Sequence, residues 1–117
     1  MAQRTPDFQP SDEERVERRS AMARALARGG MEGAHVISIE TAREVLTPKR
    51  FEIIDYLRDG DAVDSVKSLA DRLNRDHGQV SRDLGVLAEH GIIEYDTDGR
   101  AKQPKLAAEH LVVEPLV

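Results

Sequence analysis

Cysteine is absent from these 117 residues. That excludes disulfides, thiolate redox sensing and cysteine-based zinc sites. Tryptophan is absent too, and aromatic residues make up 3% of the chain. Any core must therefore be aliphatic, and with apolar residues at 39% it is thin. No apolar run approaches the roughly 20 residues needed to cross a bilayer, and the N-terminus lacks a signal-peptide pattern. There is no glycine-rich phosphate loop, since Gly60, Gly78, Gly85 and Gly91 are isolated. No nucleophile elbow or Ser-His-Asp signature occurs. His35, His77, His90 and His110 are dispersed, without metal-ligand spacing. The expectation is a soluble, cytoplasmic protein that is not an enzyme and needs no cofactor or metal. A basic excess is also missing: the net charge is −5.

What is present sits mainly between residues 47 and 105. Thr47 can cap a helix that has Pro48 at its first position, where a missing N–H costs nothing. Phe51, Ile54 and Leu57 recur at helical spacing, Ile53 and Tyr56 widen the stripe, and Gly60 closes it. Ser65 then caps a second helix with Val66, Leu69, Ala70 and Leu73 on one face. Asn74, Arg75 and Asp76 form a turn, and Asp76 caps a third helix whose inward face is Val80, Leu84 and Leu87. Gly91 ends it, as the residue after a helix often needs positive φ. Ile92, Ile93 and Tyr95 begin a strand. Asp96-Thr97-Asp98-Gly99 signals a turn, and a return strand follows from Arg100 to Leu106. The order is that of a winged helix-turn-helix: mainly α, with a small β-hairpin wing.

Around this unit, residues 1–10, with Pro6 and Pro10, read as a disordered tail. Residues 11–30 read as a charged helix, with Ser11 and Glu14 at capping-box spacing and Gly29-Gly30 as its stop. Its apolar stripe is narrow (Val16, Met22, Ala23, Leu26). It is either a solvated helix or one that packs on a second subunit or, through Arg15, Arg18 and Arg19, on DNA. Residues 34–108 form the winged-helix domain. Within it His35–Ile39 reads as a short strand that could edge the wing sheet, and a helix begins at Ile39 with Ser38 or Thr41 as cap. Residues 109–117, HLVVEPLV at their end, are an apolar strand or tail that packs back or crosses to a partner chain, the partner being preferred. Pro115 forbids a central strand position there.

The stretch VSRDLGVLAEHGIIEYDTDGR resembles the recognition helix and wing of MarR- and ArsR-type regulators. The longer run from LTPKRFEIIDYLRDG through DGRAKQPKL is similar to a family of small archaeal transcriptional regulators common in halophiles. The likeness runs from about Val36 to near the C-terminus. It implies a sequence-specific DNA-binding protein, and it supplies no operator or signal.

In this arrangement the third helix, about 77–90, enters the major groove and the wing, about 92–106, meets flanking backbone or minor groove. Gln79 can pair with adenine and Arg82 with guanine or phosphate, while Ser81 can serve base or backbone. His77 stands at the leading end. Lys49, Arg50, Ser65, Lys67 and Arg75 are candidates for phosphate contact. Arg100, Lys102 and Lys105 are candidates on the wing. Asp83 would repel phosphates if it faced DNA, so it is expected to turn sideways and hold Arg82, Arg72 or Arg75. Each of these also has a plain reading as a solvated surface residue.

The acidic balance admits two accounts. Either the protein binds no nucleic acid, or a local basic face binds while acidic residues solvate the rest. Arginine outnumbers lysine and Asp equals Glu, a bias suited to a salt-rich cytoplasm and to the second account. Double-stranded DNA and a second copy of the chain are the expected partners. The competing function is a winged-helix docking module, including an antitoxin-like protein that binds both DNA and a protein.

Overall fold

The computed structural model describes residues 11–97, 99 and 101–115. The expected tail 1–10, the wing-tip residues Asp98 and Arg100, and the last two residues of the apolar tail lie outside the described residues.

Helix α1 (Asp12–Arg28) starts where the Ser11 hydroxyl accepts the Glu14 N–H at 3.1 Å. None of its residues is buried, as its narrow stripe implies, and it packs along strand β1 (Ala34–Ile37). Helix α2 (Ile39–Val45) is capped by Ser38, which takes the Thr41 N–H at 3.1 Å and so decides between the two candidate caps.

Three helices then build the domain centre. Helix α3 (Pro48–Asp59) is capped by Thr47, α4 (Val66–Leu73) by Ser65 and α5 (His77–Glu89) by Asp76. Asn74, at φ 54°, turns the chain between α4 and α5 in the left-handed conformation that asparagine tolerates. Val80, Leu84 and Leu87 of α5 are fully buried against Ile53, Leu69, Ala70, Val45, Val63, Ile92 and Ile93. One expectation fails in α3. Phe51 is 43% exposed, and Ile53 is the residue at the centre of the core. Two positions are about 200° apart round a helix, so Phe51 and Ile53 cannot share an inward face. The buried line runs through Ile53, with Ile54, Tyr56 and Leu57 packed beside it.

After Gly91 (φ 75°) the chain enters the wing, formed by β2 (Ile93–Thr97) and β3 (Lys102–Leu106). These strands are antiparallel, with Ile93 opposite Leu106 and Tyr95 opposite Pro104. Strand β1 does not edge this sheet, contrary to expectation. It pairs in parallel with β4 (His110–Val113), from Ala34 opposite His110 to Ile37 opposite Val113, in a sheet of its own. Both segments are short and apolar, and each supplies the ladder the other lacks. The C-terminal run therefore packs back on its own chain, and Leu111 reaches the main core.

Candidate nucleic-acid interface

Burying Val80, Leu84 and Leu87 fixes the rotation of α5 and leaves His77, Gln79, Ser81 and Arg82 exposed on its other side. The Asp76 carboxylate is occupied at the start of this helix, accepting the Gln79 N–H at 3.0 Å. Gly78 is less open than its missing side chain suggests, because a Cβ there would lie 3.1 Å from Asp76 Oδ2 and 3.4 Å from an Arg82 guanidinium nitrogen. Among the described residues Arg82 forms no ion pair.

Beneath that surface lies an ion-pair network. Asp83 accepts from Arg50 Nε at 3.2 Å and from an Arg75 guanidinium N–H at 2.6 Å. Arg75 also donates to the Lys49 carbonyl at 3.0 Å and stands 3.6 Å from Glu52. Arg50 donates to the Glu44 and Val45 carbonyls at 3.1 and 3.3 Å. The three side chains are 7% (Arg75), 17% (Asp83) and 19% (Arg50) exposed. Asp83 does turn away from the outer face to hold Arg75. Its second partner is Arg50, and Arg72 instead donates to the Tyr56 hydroxyl at 2.8 Å. Arg75 and Arg50, candidates for the phosphate rim, are turned onto the protein: Arg50 makes hydrogen bonds there from Nε and one terminal nitrogen, and Arg75 from both terminal nitrogens, while the buried Arg75 Nε has no partner among the described residues. Residues 33 apart in sequence make the Arg50–Asp83 bond, so no local spacing could announce it.

Lys49, Arg50, Arg75, Gln79, Arg82, Asp83 and Val86 line one shallow depression between α3 and α5. Its lining carries four cationic side chains against one carboxylate. The other candidates stand apart from it. The Ser65 hydroxyl is occupied, accepting the Ser68 N–H at 3.0 Å and donating to Ser68 Oγ at 3.2 Å. Lys67 lies 3.7 Å from Asp71. On the wing, the Lys102 ammonium sits 5.2 Å from the centre of the Tyr95 ring, and burial raises the Tyr95 phenol above its ordinary pKa. Lys105, the third cationic candidate on the wing, is held by Glu94 and Asp96 at 3.5 and 3.6 Å. Arg100 lies outside the described residues.

Two helices joined by the Asn74 turn, with a hairpin following the second, define a winged helix-turn-helix domain. The fold is similar to the homodimeric winged helix-turn-helix DNA-binding domain of Mb0332 from Mycobacterium bovis, a possible ArsR-family transcriptional regulator. That likeness has 20% identity and a TM-score of 0.54, and covers 87% of this chain and 77% of that one. Reduced HlyU from Vibrio cholerae is similar at 20% identity and a TM-score of 0.50, over 81% of this chain and 82% of that one. At such identity the likeness speaks for the fold alone. No curated protein matches the chain. Residues 45–113 match the HVO_A0114 family, and the chain belongs to that family.

Proposed function

We propose that this chain is a sequence-specific DNA-binding transcriptional regulator of MarR/ArsR type, acting in the cytoplasm as a homodimer. Helix α5 lies in the major groove, with Gln79, Ser81 and Arg82 toward base edges and His77 at its leading end. Lys49 is the best-placed phosphate contact on α3, and Lys67 and the Ser65 end of α4 supply further ones. The wing, through Lys102 and Arg100, meets the flanking backbone or minor groove. Occupancy of a promoter then controls the gene beside it, repression being the simpler outcome.

The observation that carries this reading is the local charge of the α3–α5 depression. The chain is acidic as a whole, yet Lys49, Arg50, Arg75 and Arg82 outnumber the single carboxylate lining that depression. That carboxylate, Asp83, together with Glu52 beside Arg75, offsets Arg50 and Arg75, which leaves Lys49 and Arg82 as the net positive charge. A net basic patch beside exposed polar residues suits a phosphate-flanked groove, and phosphate contact makes affinity salt-dependent.

Fluorescence anisotropy with duplexes from the chain's own upstream region tests it. Arg82→Ala should weaken specific binding by about 5- to 150-fold, the loss expected of one bidentate base contact worth roughly 1–3 kcal/mol. Unchanged affinity in a folded variant refutes the role of Arg82. Absence of any salt-sensitive binding by the wild-type chain would move the reading to a docking module.

A further inference from the structure

We infer that the outer edge of β4 is a docking site for a second copy of this chain, paired antiparallel across a two-fold axis at Val112. This rests on the homodimer reading above and names its interface.

The free edge follows from the ladder. His110 donates its N–H to the Gly33 carbonyl at 3.2 Å, and Glu114 donates to the Ile37 carbonyl at 3.0 Å. Backbone groups alternate between the two edges of a strand, so His110, Val112 and Glu114 serve β1. Leu111 and Val113 therefore direct their N–H and C=O groups away from β1. Among the described residues those groups have no partner, and the sheet stops at two strands. A two-stranded sheet with an open apolar edge is marginal alone and a template for another strand.

The sequence at this edge is complementary to itself. About Val112, an antiparallel pairing sets Leu111 opposite Val113 of the partner subunit, and these are the residues whose backbone groups point outward. It also sets His110 opposite Glu114 of the partner subunit, and Val112 opposite its own copy. No like charges face each other. The neighbouring registers are worse. Centring on Leu111 puts Val113 opposite Glu109 of the partner subunit. Centring on Val113 puts Leu111 opposite Pro115 of the partner subunit, which has no N–H to give. Glu114 also lies 3.9 Å from Arg19 of its own chain, which holds it at the end of the strand. The product is a four-stranded sheet in the order β1-β4-β4-β1, closed by one two-fold axis. A closed isologous pair of this kind leaves no apolar β4 edge to recruit further chains.

The absence of native cysteine gives a direct test. Val112→Cys would place two thiols at a non-hydrogen-bonded antiparallel pair, where Cα atoms stand about 4.5 Å apart and a disulfide closes without backbone movement. Glu109→Cys is the control, because its two copies would lie roughly 20 Å apart along the paired strands. Under mild oxidation the Val112→Cys chain should form a covalent dimer at least 10-fold faster than the Glu109→Cys chain. Equal rates overturn the proposal, as does a wild-type chain that sediments as a monomer at about 100 μM. Val113→Pro removes only an outward N–H, and should convert the dimer to a monomer with an unchanged circular dichroism spectrum. A folded Val113→Pro dimer places the interface elsewhere and overturns the proposal. Should that variant unfold, the cysteine pair still decides. Cross-linking needs no DNA, so a failed gel shift with intact Val112 cross-linking counts against the DNA reading alone.

Discussion

Replacing Asp83 by Asn keeps the shape of the side chain and deletes its charge. Two arginines then lose their shared carboxylate in places only 7% and 19% exposed. A hydrogen bond to a charged group contributes about 1.5–3 kcal/mol, and breaking a buried ion pair costs about 3–5 kcal/mol. The amide oxygen of Asn retains one of the two bonds, so a loss of about 3 kcal/mol is expected. Unfolding entropy near 2.1 cal/mol/K per residue gives about 0.25 kcal/mol/K for a chain this long, and the midpoint should fall by about 12 °C. Thermal melts followed by circular dichroism measure this. Arg75→Ala should cost a similar amount, and the double variant should cost clearly less than the two together, because both changes break one network. A fall below about 3 °C for Asp83→Asn, or simple additivity with Arg75→Ala, would show that the network does not lock α5 onto α3 and the α4–α5 turn.

Removing residues 1–30 should leave a chain that melts cooperatively, since no residue of α1 is buried; a broad, uncooperative melt would show that α1 is structural. Gly91→Ala should lower the midpoint by at least about 4 °C. Its φ of 75° costs an L-residue roughly 1–2 kcal/mol, and the added Cβ would sit 3.0 Å from His35 Nε2, which bonds the His90 carbonyl at 2.7 Å. An unchanged melt would refute that account of the α5 C-terminus.

The helix boundaries were legible because they are local. Ser11, Thr47, Ser65 and Asp76 each cap the helix their neighbours announce, and a single turn of chain contains all the information. The inward face of α5 was legible for the same reason, Val80, Leu84 and Leu87 recurring at i, i+4 and i+7. Helix α3 was ambiguous: five apolar residues crowd it, and tertiary contact with α5 chose Ile53 over Phe51. The pairing of β1 with β4 joins segments far apart in sequence, Ala34 to His110, and nothing in HVISI or HLVVE names the other. The same limit governs the charges. Sequence marks Arg50, Arg75 and Arg82 as equally basic. Only the packing of α3 against α5 withdraws the first two and leaves Arg82 outside.

On the proposed reading the exposed side of α5 meets DNA. Amide chemical shifts recorded while an upstream duplex is added would locate the contact directly. Changes should concentrate at residues 77–86, with further changes at Lys49 and Lys102. Changes confined to α1 and the β1–β4 sheet, or none at low salt, would contradict it.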